Sequence, residues 1–171
     1  MRRNGDIYDE ITKDWSIDFL LQSSQLHDVG KIKIPDSVLM KAGKLTDEEF
    51  SIMKSHTTSG VAILEKIEIM ADEFNYFNHA KIFAGTHHEK WDGTGYPLGL
   101  NGTEIPLQGR LMAIADVYDA LVSKRPYKKP FEHDVAVSII KDGSGTHFDP
   151  VLVELFMELS DKFYNISKQY D

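Results

Sequence analysis

The sequence predicts an all-α fold, a bundle of about six or seven helices. Three observations lead to this prediction. Apolar residues recur mostly at the spacing of an α-helix. Signals that start a helix precede several of these stretches, and no two segments show a persuasive pattern of paired strands. The 171 residues are one domain's worth of chain, long enough to bury a sizeable core.

Start and stop signals divide the first half of the chain into short helices. The first helix is predicted to begin at Ser16 and to end near Asp28, because Gly30 stops it. Residues 32–35 are predicted to be extended.

A capping box opens the next helix. Thr46 and Glu49 stand three residues apart, so that each side chain can accept the free backbone N–H of the other residue. This helix is expected to carry Phe50, Met53 and, further on, His56, and another helix follows over roughly 58–69.

The second half is predicted to hold longer helices. Their expected ranges are 72–88, 107–123, 131–141 and 149–161. The apolar stripe of the first of these continues to His87 and His88, which should therefore face inward. Residues 92–109 are rich in Gly and Pro and predict a long functional loop. Asp149-Pro150 supplies an N-cap and a first helical proline, and the chain after Phe163 is expected to fray.

Composition excludes several classes of protein. The chain has no cysteine, so disulfides, thiolate metal sites and cysteine nucleophiles are excluded. Its net charge of −8 argues against binding to long nucleic acids. No apolar run approaches about 18 residues, so no membrane span is expected. No secretory signal is visible, and the cytoplasm is the expected compartment.

One basic cluster stands out against the acidic background. It comprises Lys124, Arg125, Lys128 and Lys129. Two interpretations remain open: a site for a small phosphate ligand, or a solvated helix end.

Four histidines form the first candidate site: His27, His56, His87 and His88. Any one of them, taken alone, is more simply read as a hydrogen-bonded core residue. As a set they would need many separate partners, whereas one metal centre would satisfy them together. Neutral imidazole suits Fe, Mn, Zn or Ni.

Asp116 is the sharpest single clue, because it lies on an almost wholly apolar helix. An unpaired buried carboxylate would cost several kcal/mol. A metal ion would satisfy it, and so would a salt bridge to Arg110 or Arg125 or a side chain that reaches the surface. Asp119 lies one turn later. It can support a metal ligand or orient Arg125, and it is a candidate for substrate binding.

Four ordered blocks of sequence resemble the HD-GYP family, a subfamily of the HD phosphohydrolases. The first runs from His27-Asp28 to Asp36, and the second, from His87-His88 to Pro97, contains Gly95-Tyr96. The third covers 114–121 with 125–128, and the last covers 145–150. Together they extend the resemblance over about residues 8–160.

The resemblance implies a helical, metal-dependent phosphodiesterase that hydrolyses cyclic di-GMP to pGpG or on to GMP. It implies a catalytic Lys31 near the scissile phosphate and an Asp28 that bridges two metal ions. Nucleotide contacts are implied for Gly95, Tyr96, Arg125 and Lys128. The implied metal ligands are His27, Asp28, His56, His87, His88 and Asp116.

The match departs from the family at the amino end. Many members carry an earlier helix that supplies a Glu and a His to a third metal. Here no His precedes His27, and Glu10 is the only Glu among the first 15 residues. We therefore expect two divalent ions, Fe or Mn before Zn or Ni. Residues 1–15 are expected to be a remnant of that helix, 16–163 the HD-GYP domain and 164–171 a tail.

Cyclic di-GMP is the expected partner, with an N-terminal receiver or sensor domain outside this chain. Exposed apolar surface left by the missing helix predicts a homodimer. Two alternatives remain open. One is a catalytically weak module that binds cyclic di-GMP for signalling. The other is a phosphohydrolase that acts on another cyclic dinucleotide or nucleotide.

Overall fold

The protein is seen in a computed structural model, and the structure describes residues 15–71, 74–124 and 129–169, where α-helices are the main secondary structure. Seven α-helices of eight residues or more are present there, with one four-residue helix, so the predicted all-α class is confirmed. They are α1 (Ile17–Ser24), α2 (Asp36–Leu39), α3 (Asp47–Lys54), α4 (His56–Ala71), α5 (Phe74–Thr86), α6 (Leu107–Val122), α7 (His133–Asp142) and α8 (Pro150–Ser167).

Extended pairing is minimal in these ranges. Two isolated bridges, Asp92 with Asn101 and Ser144 with Phe148, are the only ones. None of the described helices is both long enough and apolar enough to cross a bilayer.

Local signals set the start of three helices as predicted. The Ser16 side chain accepts the Phe19 N–H at the start of α1. Both arms of the capping box between Thr46 and Glu49 are formed at α3. Asp149 accepts the N–H of Val151 at the start of α8, where Pro150 is the first helical residue.

The predicted end of the first helix is wrong. The helix ends at Ser24, and the chain then turns into a 3₁₀ helix over Val29–Lys33. Hydroxyls of Ser23 and Ser24 donate to backbone oxygens of the preceding turn, which competes with continuation of the helix. Of the stretch predicted as extended, residues 32 and 33 belong to this 3₁₀ helix, and Ile34 is extended.

Two further boundaries differ from expectation. A break at Ser55 separates α3 from α4, so His56 opens a helix instead of lying within one. The last helix continues to Ser167, past the expected end near Asp161. Phe163 packs against the core there, and its burial favours the extra turn.

Two apolar clusters hold the bundle together. One joins α6, α7 and α8 through buried residues such as Ile114, Ile140 and Phe156. The other joins α4 and α5, with Leu64 at its centre. Leu26 and Val29 pack against this second cluster, and they flank His27 and Asp28. Burial of these two neighbours therefore fixes the His-Asp turn against α4 and α5.

Candidate metal centre

The His27-Asp28 turn lies directly on the first turn of α4. Gly30 permits this approach, because a Cβ built there would lie only 1.9 Å from the backbone oxygen of His56. No other residue type fits at this distance. The close packing brings Asp28 beside the His56 ring.

The histidine pair at the end of α5 completes a cluster of imidazoles. His87 and His88 follow Thr86, the last residue of that helix. The Nε2 atoms of His56 and His87 are 3.3 Å apart. Ring nitrogens of His56, His87 and His88, one from each, all lie within 4.8 Å of one another. His56 and His87 are buried and His88 is half-buried. The structure thus brings together three of the predicted metal ligands.

One carboxylate oxygen of Asp28 faces this cluster, and the other faces Lys31. Its Oδ1 atom lies 3.5 Å from His56 Nε2 and 3.8 Å from His87 Nε2. Its Oδ2 atom lies 2.5 Å from Lys31 Nζ and 3.3 Å from His27 Nε2. Oδ1 is buried and has no hydrogen-bond partner.

Hydrogen bonds on the far side of the rings fix their tautomers. Nδ1 of His56 donates to the Met53 oxygen at 2.7 Å, and Nδ1 of His87 donates to the Phe83 oxygen at 2.9 Å. A neutral imidazole with its proton on Nδ1 presents a lone pair at Nε2. Both Nε2 atoms therefore point lone pairs towards Asp28 Oδ1.

Burial keeps the clustered rings neutral. Burial, with the nearby His27, lowers the pKa of His87 to about 4. Burial, with the neighbouring His87 ring, lowers the pKa of His88 to about 3. The pKa of His56 is lowered as well, also by burial first. At neutral pH these rings therefore offer lone pairs and not protons.

For His27 and Asp28, in contrast, the surroundings favour the charged forms. Burial alone would lower the pKa of His27, but its hydrogen bond to Asp28 and the charge of that carboxylate raise it instead. Burial likewise opposes ionisation of Asp28, yet hydrogen bonds from His27 and Lys31 hold its pKa far below the usual range. Asp28 is therefore a carboxylate at neutral pH.

The donor set fits a divalent cation. A buried carboxylate oxygen without a partner faces two imidazole lone pairs, an arrangement that repels itself unless a positive charge lies between them. Nitrogen and carboxylate oxygen together suit Fe, Mn, Zn and Ni.

Asp116 adds a second carboxylate on the side of α6. It is half-buried. Its charge adds to the rise in the pKa of His27 that Asp28 causes, and it adds to the rise in the pKa of Tyr96 that burial causes. Asp116 therefore lies close enough to both residues to act on them. Arg110, one of the partners considered for it, forms a buried ion pair of 2.8 Å with Asp149.

Tyr96 forms one wall of the cluster. Its ring stacks on the His88 ring with centroids 4.8 Å apart, and Phe50 contacts it edge-on at 6.1 Å. Gly95 has a packing reason for being glycine, since a Cβ there would lie 2.3 Å from the backbone nitrogen of Lys90. Asp119 is exposed and accepts a hydrogen bond from Ser123.

Two of the predicted residues, Arg125 and Lys128, lie outside the described residues. The histidines without a predicted role have other partners: His79 contacts Gln108, His133 contacts Tyr118, and His147 stacks on Phe148.

One buried acid was given no role by sequence reasoning. Glu89 is 1% exposed, and its two oxygens accept the N–H groups of Leu98 and Leu100. The sequence does carry a signal that Glu89 is functional, because it directly follows the predicted ligands His87 and His88 and precedes a Gly-rich loop.

Comparison with known proteins finds relatives that are named as cyclic dinucleotide phosphodiesterases. A cyclic di-GMP phosphodiesterase of Vibrio cholerae is 55% identical over 154 residues, covering 90% of this chain and 31% of its own length. A 3'3'-cGAMP-specific phosphodiesterase 2 of the same organism is 47% identical over 149 residues, covering 87% of this chain and 28% of its own length. The chain thus spans about a third of the length of these curated relatives.

Two further comparisons concern the fold and the family. The crystal structure of a cyclic GMP-AMP-specific phosphodiesterase of V. cholerae superposes with a TM-score of 0.61 over 95% of this chain and 44% of that one. At 19% sequence identity it supports the fold alone. The family model described as HD domain matches residues 9–152. The chain therefore belongs to the HD domain family.

Proposed function

We propose that this chain is the catalytic domain of a metal-dependent phosphodiesterase that hydrolyses cyclic di-GMP to pGpG, GMP or both. One observation carries the proposal: the unpartnered Oδ1 atom of Asp28 faces the lone pairs of two buried imidazoles. The name of the relative that is 55% identical supports the choice of substrate.

Membership of the HD domain family implies that the chain binds divalent metal. The residues that would hold it are His27, Asp28, His56, His87, His88 and Asp116, with Asp28 as the bridge between two ions. Fe or Mn is our first choice, with Zn or Ni as alternatives. Bound there, divalent metal supplies a Lewis acid that activates water near neutral pH and offsets the charge of the phosphate.

Lys31 would act at the leaving group. Its Nζ atom lies on Asp28 Oδ2, and its side chain is 41% exposed, so it can reach a substrate that enters from solvent. In that place an ammonium group would donate a proton to the departing oxygen or stabilise its charge. Asp28 in turn keeps the ammonium group oriented.

Tyr96 would meet the nucleotide at the opposite wall. Its ring is half-buried against His88, which leaves part of the phenol available for a base or a phosphate. Gly95, Asp119, Arg125 and Lys128 stay predictions as substrate contacts, with Arg125 and Lys128 suited to a second phosphate.

A hydrolysis assay tests the proposal. The purified protein is incubated with Mn²⁺ or Fe²⁺ and cyclic di-GMP, and the nucleotides are separated by chromatography. Wild type should yield pGpG or GMP, and Asp28→Ala should yield neither. Asp18→Asn is the matched control, because this exposed carboxylate on α1 has no part in the cluster, and it should retain full activity.

A different cyclic dinucleotide is the second candidate substrate. The relative named as specific for 3'3'-cGAMP is 47% identical, nearly as similar as the cyclic di-GMP enzyme. Incubation with both dinucleotides at equal concentration compares kcat/KM directly. Faster loss of 3'3'-cGAMP would change the assigned substrate.

Binding without turnover is the remaining outcome. Saturable binding of cyclic di-GMP with no product would favour a signalling module over an enzyme. The receiver or sensor domain and the homodimer stay predictions. Ile17 and Leu21, which are 67% and 62% exposed on α1, support an apolar surface for a second copy.

A further inference from the structure

Backbone N–H groups of the loop that carries Tyr96 donate hydrogen bonds to two residues that precede the loop, His88 and Glu89. The donors lie at alternate positions along the loop. The N–H of Tyr96 donates to the His88 oxygen at 3.2 Å. The N–H of Leu98 donates to Glu89 Oε1 at 2.7 Å, and that of Leu100 donates to Glu89 Oε2 at 3.0 Å. Three donors at every second position are thus held by adjacent residues of one short segment.

Glu89 is the centre of this attachment. Its side chain is 1% exposed, and both of its oxygens are used by the loop. Hydrogen bonds to an ionised carboxylate are about twice as strong as those between neutral groups. A buried carboxylate that spends both oxygens on one loop holds that loop in one place.

The position of the loop determines the position of the Tyr96 ring. That ring stacks on His88 at an interplanar angle of 29°, directly over a predicted metal ligand. The second ring in contact with it, Phe50, is 44% exposed and meets it edge-on. The backbone attachment of the loop thus helps to set where the phenol lies.

We propose that Glu89 is a positioning residue for substrate binding: through the N–H groups of Leu98 and Leu100 it holds the Tyr96 ring against His88, at the edge of the histidine cluster. The inference rests on the proposed function, since it assigns Tyr96 to the cyclic dinucleotide. Glu89 itself touches neither the substrate nor the metal in this proposal.

Glu89→Gln tests the role with almost no change in size. The amide oxygen still accepts one N–H, but the NH₂ group now faces the other N–H and cannot accept it. Losing a hydrogen bond to a charged acceptor predicts a rise in KM for the cyclic dinucleotide of about tenfold. The value of kcat should stay within about twofold, because the metal ligands are unchanged.

A second readout does not depend on activity. Amide hydrogen exchange of Leu98 and Leu100, measured on the protein with and without Mn²⁺, should be faster in Glu89→Gln than in wild type. Metal content by elemental analysis should be equal in the two proteins. Glu104→Gln is the matched control, because Glu104 accepts one N–H in the same loop, from Asn101, but is exposed. It should leave KM unchanged.

The possible results separate this inference from the proposed function. Unchanged KM and unchanged exchange in Glu89→Gln would overturn it, and so would a loss of metal with a fall in kcat alone. If wild type shows no turnover, the proposed function fails, but faster exchange at Leu98 and Leu100 would still support the attachment of the loop. Glu89→Asp, which keeps the charge with a shorter reach, replaces the Gln variant if that variant does not fold.

Discussion

Oδ1 of Asp28 lies 3.5 Å from Nε2 of His56, and neither atom carries a hydrogen for the other. The fold holds both in place by other means, through the ion pair of Asp28 with Lys31 and the hydrogen bond of His56 to Met53. Two lone pairs held face to face reduce the stability of the metal-free protein. Such an arrangement is typical of a site built to receive a cation.

Gly30 should be among the least replaceable residues of the site. In Gly30→Ala the new methyl group would lie 1.9 Å from the His56 oxygen and 2.5 Å from the Gly60 nitrogen, and both are backbone atoms. The turn must then move off α4, so we expect a loss of about 3 kcal/mol in the free energy of unfolding. Bound metal should fall with it.

Gly85→Ala is the control for that variant. The same added methyl group, inside α5, would meet only a side-chain atom of Val61, at 3.1 Å. Alanine also favours a helix, so the change should stay within about 1 kcal/mol. Equal denaturation midpoints for the two variants would show that the close packing of the His-Asp turn on α4 does not require glycine at residue 30.

The ion pair between Arg110 and Asp149 should matter more than an exposed one. Both side chains are buried, and their atoms are 2.8 Å apart. Arg110→Met leaves a buried carboxylate without this partner, so the free energy of unfolding should fall by about 3–5 kcal/mol. Urea denaturation measures the loss.

Lys41→Met provides the comparison for an exposed pair. Lys41 contacts Glu49 at 2.6 Å, but both side chains reach solvent. This change should lower the free energy of unfolding much less than Arg110→Met does, because solvent screens the exposed pair. Similar losses in the two variants would contradict the importance given to burial.

His79 should make stability depend on pH. Burial lowers its pKa in the folded protein below the ordinary value of 6.5, while the unfolded chain keeps that value. Between the two pKa values the unfolded state binds more protons. The contribution of His79 is therefore present above about pH 6.5 and is lost as the pH falls.

His79→Gln isolates this contribution from the other histidines. The free energy of unfolding, measured at several pH values below 7, should fall less steeply with decreasing pH in the variant than in wild type. Parallel curves would show that His79 does not titrate differently in the two states.

Asp116→Ala should reduce the amount of metal bound per chain. Asp116 acts electrostatically on both His27 and Tyr96, so its carboxylate belongs to the same neighbourhood as the cluster. Asp119→Ala, one turn further along α6 and exposed, should keep the full amount. Elemental analysis of the two variants decides the matter, and unchanged metal in Asp116→Ala would remove it from the ligand set.

Local chemistry explains what the sequence could predict of the fold. The capping box of Thr46 with Glu49 and the N-cap at Asp149 need only neighbouring residues, and both formed as expected. The end of the first helix was missed because serine side chains can bond to their own backbone in several ways. The extension to Ser167 depends on packing against distant helices, which a single stretch of sequence does not contain.

The candidate site, like the fold, was predicted from the sequence only in part. Resemblance of motifs predicted that His56, His87 and His88 act together, and the structure places their ring nitrogens side by side. Nothing in the sequence pairs Arg110 with Asp149, or shows that Glu89 spends both oxygens on backbone donors. These contacts join residues through the geometry of loops, which no spacing rule predicts.

Anomalous diffraction from crystals grown with Mn²⁺ or Fe²⁺ tests the central claim most directly. We predict anomalous peaks within coordination distance of Asp28 Oδ1 and of the Nε2 atoms of His56 and His87, which vanish in Asp28→Ala crystals. A cluster that holds no peak at saturating metal, or peaks that persist without the Asp28 carboxylate, would contradict it.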